Sequence, residues 1–462
     1  MTTLNRAWGN MTVLGKILLP LMFIVLVVGP ILTILLATLV GPWVLDLLSA
    51  NLDIVRFVAA VTGILLFSIP AAFIIIYMEL KVIALMNLRV GPDRVGPGGS
   101  LHSVVAGLKV LMKEDFTPTN ADKVVFTWAP VVVFLAAVMT FLVIPFGPGF
   151  VDPETGERTA GLVGQDLDIG LLYLFAVGGM TVVGLLMAGW SSFNKYSLLG
   201  GLRSAAQVVS YEIPLTLSVV GLILLAGTMS LNQIAIQQEG GFWNWFVFRQ
   251  PLGALIFFIA ATAEANRTPF DLTEADSEIV AGFATEYSGM RFGFLFFAEY
   301  VNVFIISALM VTLFFGSWSA PFPFPEITLN LDLGSLGVVL LLLLVILPPV
   351  LTLIFALPFW LASNNRPAWQ ALVLGFIVFN VVAMGLLFGI LYIETDWVAG
   401  LVWFMVKSFL FVFVFVWMRG TLPRVRIDQL MNFAWKWLLP ASLLNLFITA
   451  AAIVVVKQLT SG

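Results

Sequence analysis

Runs of roughly 20 apolar residues, the length a helix needs to cross the hydrocarbon core of a bilayer, recur throughout this 462-residue chain. Eleven are legible, at about 13–40, 54–79, 124–146, 170–190, 211–229, 251–265, 290–315, 335–361, 369–393, 398–419 and 433–456. The expected fold is therefore all-α, a polytopic transmembrane helix bundle of about eleven spans. A soluble core has no use for so much apolar chain: 60% of residues are hydrophobic and 10% charged, against roughly 25% charged in ordinary domains. The shortest run, 251–265, recruits Phe246 to Arg249 at its start. Pro348, Pro349 and Pro358 predict a kink in 335–361. No internal repeat is visible.

The cations test this topology. With the N-terminus in the cytoplasm and sides alternating, the cytoplasmic segments hold Arg6 and Lys16, six cations from Lys81 to Lys123, Lys195 and Arg203. They also hold Arg267, Arg291, Arg366, Arg419, Arg424, Arg426 and Lys436. That makes seventeen, against Arg158, Arg249 and Lys457 on the opposite side, a positive-inside distribution. Arg56 and Lys407 fall within or beside spans. Arg6 and Lys16 flank a run too long for a cleavable signal, and no small-residue cleavage site follows.

Composition also limits the chemistry. The chain has no Cys and a single His, His102. That excludes cysteine-ligated iron–sulfur clusters, thiolate haem, and a His pair across haem or zinc. No catalytic constellation and no metal set is expected, and any redox centre would belong to a partner. Nothing points to nucleic acid.

Three polar segments interrupt the apolar pattern. Arg89–Gly99 carries paired Gly-Pro steps, which make a rigid turn; a nucleotide cradle would need a GKS/T ending. Leu101, Val104, Val105, Leu108, Leu111 and Met112 follow at helical spacing, predicting an amphipathic helix over 101–113 at the membrane interface. Residues 189–212 read as a long polar joint between two spans. The stretch from Ala263 to Glu286 holds six acids and one Arg before Arg291. Asp271 with Glu274, or Thr273 with Asp276, would form a capping box for a helix from about 274. That accounts for two acids, not six.

Acids also enter the spans. Glu299 lies about nine residues into 290–315, roughly 13 Å along the axis, where a carboxylate costs about 2.5–3.5 kcal/mol. Glu79 ends a span, Glu212 begins one just before Pro214, and Glu264 ends another. The plain reading of these three is that they reach the headgroups. The functional one is a proton path, since neighbouring buried carboxylates titrate together when water links them.

At these positions the chain resembles the H-subunit family of NADH-quinone oxidoreductase, the first-subunit family of complex I. The likeness rests on Leu-Arg-Val-Gly-Pro, Arg-Ser-Ala-Ala-Gln, Pro-Phe-Asp-Leu, Thr-Glu-Tyr-Ser-Gly and Leu-Pro-Arg-Val-Arg-Ile-Asp-Gln-Leu. These lie within Glu79–Asp115, Gly189–Leu217, Ala263–Tyr300 and Trp417–Leu446. The resemblance implies a multi-pass subunit of the bacterial inner membrane that joins a membrane arm to a peripheral arm. Its partners would be peripheral quinone-site subunits, antiporter-like membrane subunits and lipid, with quinone as substrate and no cofactor of its own. Carried over by position, Glu79, Lys81, Arg89, Arg267, Phe270 and Asp271 would line the quinone path. Glu212, Glu264, Glu274, Asp276, Glu278, Glu286 and Glu299 would form a proton-conducting funnel. Arg424 and Arg426 would face peripheral subunits.

The chain departs from the pattern at several points. Leu80 stands where the family has Arg, Thr273 replaces Pro, Asp276 replaces Glu, and Ala265 replaces Thr. An extra span and loop (1–53) precede a core over 54–315. A loop and helix pair at 316–396 then look inserted before the last two core helices, 397–462, which leaves eight family-core spans. Two other functions compete. An equivalent subunit of a membrane-bound hydrogenase or a ferredoxin- or F420-linked complex shares some motifs. A stand-alone secondary transporter would show inverted repeats, and none is seen.

Overall fold

The computed structural model describes residues 52–149, 162–271, 282–321 and 396–461, and among these it is helical throughout, with no strand. The described residues belong almost entirely to one compact unit, Phe57–Phe324 with Ala399–Gly462; Met1–Arg56 and Pro325–Val398 group separately. In chain order the helices are α1 (Leu52–Met86), α2 (His102–Leu111), α3 (Lys123–Thr140) and α4 (Gly170–Ser191). They continue with α5 (Lys195–Ala226), the short α6 (Leu231–Ile236), α7 (Pro251–Glu264) and α8 (Gly289–Phe314). The last are α9 (Asp396–Thr421), α10 (Ile427–Phe433) and α11 (Leu439–Ser461).

Seven stretches are long and apolar enough to cross a membrane, and α2 and α7 are shorter apolar helices. The expected amphipathic helix is present as α2. The expected span over 251–265 is corrected. Gln250 leaves helical conformation (φ −142°, ψ 61°), so Phe246–Arg249 forms a separate turn and Pro251 opens a helix of 14 residues. At 1.5 Å per residue that reaches about 21 Å, less than the roughly 30 Å core. The expected spans at 13–40, 335–361 and 369–393 lie outside the described residues.

The polar joint expected at 189–212 is also corrected, because most of it is helix. α4 ends at Ser191 and α5 begins at Lys195, where the Asn194 side chain accepts from the Tyr196 N–H at 3.0 Å. Small residues explain why this polar stretch packs. A Cβ on Gly201 would lie 3.1 Å from the Gly189 Cα, so α4 and α5 approach backbone to backbone. A Cβ on Gly200 would lie 2.6 Å from Gly282, which fixes that residue against α5. Glu212 consequently lies inside a 32-residue helix, not at the start of a span. Glu79 likewise lies inside α1, which runs on to Met86.

The central helix is α8, in which every residue from Val303 to Phe314 is buried. A helix apolar on all sides belongs inside a bundle. Around it Phe67, Phe141, Phe146 and Phe404 form an aromatic seam, with Phe67 meeting Phe304 edge-on at 5.1 Å.

Candidate functional site

Four charged side chains from distant parts of the chain meet at one buried point. Arg267 Nη1 lies 3.4 Å from Glu79 Oε2, and Nη2 lies 3.6 Å from Glu299 Oε1. Arg419, near the end of α9, pairs with the other oxygen of Glu79. The Arg267 guanidinium also lies over the Tyr300 ring, 4.4 Å from its centroid. The Arg267 and Glu79 side chains are only 6% and 7% exposed. Two carboxylates and two guanidiniums cancel formally, which is the condition for burying any of them.

The turn carrying Arg267 is built by its neighbours. α7 stops at Glu264, and Asn266 (φ 50°) redirects the chain. Gln207 of α5 fastens the turn, its Nε2 donating to Ala263 O and Phe270 O at 2.8 Å and to Asn266 Oδ1 at 3.1 Å. Phe270 packs against Tyr211 at 5.6 Å, and the Tyr211 hydroxyl donates to Leu430 O at 2.9 Å. Asp271 accepts from Arg424 Nη2 at 3.0 Å, and the Val425 N–H donates to Pro269 O. The loop after α7 is thus joined to the segment after α9.

An apolar cavity of about 420 Å³ opens between α1, α2, α3 and α8, lined among others by Phe73, Ile76, Gly107, Phe134, Phe294 and Phe297. Ile76 of its wall lies one turn before Glu79 on α1. Gly107 keeps this cleft open, because a Cβ there would lie 3.0 Å from the Phe73 ring. The end of α2 is tied to the start of α8: Arg291 Nε lies 3.2 Å from Asp115, and Ser288 Oγ donates to Glu114 O at 2.6 Å. Beside them Tyr287 stacks on Phe126 at 4.1 Å. Burial pushes its phenol up to about 12, so it remains a neutral donor.

A second, smaller cavity of about 70 Å³ is bordered by Glu264, Glu299, Asn266, Asn302 and Thr181. About 10–15 Å³ holds one water, so several fit between the two carboxylates. Glu212 stands beside this space. A Cβ on Gly179 would lie 3.5 Å from Glu212 Oε1, and one on Gly178 would lie 3.8 Å from Glu264 Oε1. Adjacent glycines on α4 therefore face the two acids.

The expected residues do not all converge. Glu79, Arg267 and Glu299 share one cluster, although the sequence assigned Glu299 to a different path. Lys81 braces the Gly-Pro loop, donating to Val90 O at 3.4 Å with Asp93 at 4.0 Å. Arg89 is exposed. Glu286 accepts from Asn194 Nδ2 at 2.7 Å and borders a separate polar cleft with Lys195. Glu274, Asp276 and Glu278 lie outside the described residues. Sequence reasoning missed Arg419 as a partner of Glu79, though its place at a span end on the same side as Glu79 was a signal. It also missed the cleft, whose signal was the aromatic run Phe292-Gly-Phe-Leu-Phe-Phe297. Lys407, flagged within a span, donates to Phe315 O at 2.8 Å and Ser319 O at 2.9 Å, with Trp245 4.7 Å away.

Known proteins share this sequence over most of its length. A family model described as NADH dehydrogenase matches residues 58–363 and 368–450. The NADH-quinone oxidoreductase H subunit of Brevibacillus brevis is 39% identical over 395 residues, covering 85% of this chain and 92% of that protein. The protein of the same name from Bacillus cytotoxicus is 41% identical over 376 residues, with 81% and 87% covered. That from Anoxybacillus flavithermus is 40% identical over 408 residues, with 88% and 96% covered.

Proposed function

The chain belongs to the NADH dehydrogenase family. It is a multi-pass membrane subunit of NADH-quinone oxidoreductase, complex I, and works with other subunits of that enzyme in electron transport. On that footing we propose that it walls the route by which quinone reaches its reduction site, and that it couples the reduction to proton movement through buried carboxylates.

The observation that carries this reading is an apolar cleft whose wall residue Ile76 lies one helical turn from Glu79 of the Glu79–Arg267–Glu299–Arg419 cluster. An isoprenoid tail requires an apolar wall open to lipid, and Phe73, Ile76, Phe294 and Phe297 supply one. A polar quinone head requires hydrogen-bonding and charged groups at the far end, and the cluster supplies those one turn beyond Ile76. Reduction to quinol takes up protons with the electrons and places transient negative charge near the head. Arg267 and Arg419 stabilise that charge, and their attraction to Glu79 and Glu299 changes in response. The cavity between Glu299 and Glu264, with Glu212 beside it, gives protons a hydrated route.

The electrons arrive on centres held by peripheral partners, a division supported by a chain with no Cys and one His. Antiporter-like membrane subunits receive the proton-motive effect on the other side. The distribution of cations supports a cytoplasmic N-terminus in the bacterial inner membrane.

The test is photolabelling of the assembled complex with a long-tailed quinone bearing an azide on the tail. Labels on α1, α2 and α8 around Phe73, Gly107 and Phe297 are the expected result. Labelling confined to other subunits would refute the channel reading.

A further inference from the structure

The apolar cleft and the carboxylate cavity share a wall one side chain thick. Phe296 of α8 borders the cleft together with Phe294 and Phe297, and borders the cavity together with Phe292 and Leu295. On α3 the division is repeated by neighbours, Val133 facing the cavity and Phe134 the cleft. The Phe296 ring stacks on Phe292 with centroids 5.8 Å apart and meets Tyr300 edge-on at 4.9 Å. Residues 292, 296 and 300 are spaced by four and form one row along the helix. The row ends where Tyr300 carries the Arg267 guanidinium.

We propose that Phe296 is the partition between the two spaces, a positioning residue that keeps the water of the carboxylate cavity out of the apolar cleft. This rests on the reading of the cleft as a quinone route and of the cavity as a proton route. A void lined only by apolar groups stays dry, while one whose otherwise apolar wall holds the carboxylates of Glu264 and Glu299 and the amides of Asn266 and Asn302 admits water. Removing the ring merges a cleft of about 420 Å³ with a cavity of about 70 Å³. Water from the carboxylate cavity then enters the apolar cleft. Protons carried on the acids gain a path that bypasses the pump.

The test is a graded series, Phe296→Leu, Phe296→Val and Phe296→Ala, in the assembled complex reconstituted in sealed liposomes. The readout is protons translocated per electron, a ratio that slower turnover does not move. Phe296→Leu keeps the wall filled and retains the wild-type ratio. Phe296→Val lowers it, and Phe296→Ala lowers it by about twofold or more, because water exclusion is what prevents proton leakage. If Phe296→Ala does not assemble, Phe296→Val carries the same expectation. If neither turns over, infrared measurement of hydrogen–deuterium exchange at the Glu299 carboxyl decides: a long-tailed quinone slows exchange in Phe296→Val but not in the wild type. A wild-type ratio in the smallest active variant, or exchange indifferent to the tail, overturns the proposal. Glu299→Gln run in parallel separates the two levels. Normal pumping in Glu299→Gln refutes the proton-route reading itself, whereas impaired pumping there with normal pumping in the Phe296 series refutes only the partition.

Discussion

Arg267 and Glu79, 188 positions apart in the chain, meet 3.4 Å apart with both side chains almost fully buried. Removing Arg267 leaves two carboxylates, Glu79 and Glu299, against one guanidinium, that of Arg419. Breaking such a pair costs about 3–5 kcal/mol. Arg267→Gln is expected to shorten the thermal-inactivation half-life of the assembled complex and to depress quinone reductase activity at least about tenfold. Adding Glu299→Gln to Arg267→Gln restores the balance of one carboxylate, Glu79, against one guanidinium, Arg419, so stability returns in part while activity does not. A double variant no more stable than the single one would contradict the pairing.

Gly107 offers a way to narrow the cleft without touching a charge. A larger side chain there meets the Phe73 ring, which already lies 3.0 Å from where a Cβ would be. Gly107→Leu is expected to raise KM for long-tailed quinone about tenfold, through overpacking of the cleft, and to leave KM for a tail-less analogue unchanged. Steady-state kinetics with quinones of graded tail length measure this. An equal effect on both substrates would mean that the tail does not use the cleft.

Glu264 and Glu212 face the adjacent glycines Gly178 and Gly179 of α4. Glutamine keeps the shape of each and cannot carry a proton as carboxylic acid and carboxylate do. Glu212→Gln or Glu264→Gln is expected to impair pumping or quinone reduction in sealed vesicles. Normal turnover with a normal proton ratio in both variants would remove them from the path.

Lys407 does a different job. Its Nζ donates to two carbonyls just beyond the end of α8, and its side chain is buried. Hydrogen bonds of this kind are worth about 0.5–1.5 kcal/mol each. Lys407→Met is expected to lower the thermal stability of the complex while leaving KM for quinone untouched. A shift in KM without a loss of stability would place Lys407 in the quinone route instead.

The parts of this fold that hydropathy exposes are those governed by local composition. The runs at 124–146, 170–190 and 290–315 became α3, α4 and α8 because each satisfies its backbone internally and needs no partner to declare itself. The amphipathic spacing from Leu101 to Leu111 located α2 for the same reason. Residues 189–212 misled because Ser, Gly, Gln and Arg resemble a loop. Their polarity is instead used inside the bundle, Gln207 fastening the turn after α7 and the glycines admitting close backbone contact. The partnership of Arg419 with Glu79 spans 340 positions. Nothing local encodes it, because it follows from which helix ends the packing brings together.

The length of α5 has a mechanical consequence. Its 32 residues extend about 48 Å, well over the roughly 30 Å hydrocarbon thickness, in a single uninterrupted rod. Near one end Gly200 bears on Gly282, and near the other Gly221 passes close to Gln250 and Asn445. Pro214, its only internal proline, removes the N–H that would bind the carbonyl four residues earlier, so the rod has one weak joint. Glu212 lies two residues from that joint. A push at the Gly282 end would meet that joint, and the half-buried carboxylate beside it, along one continuous helix.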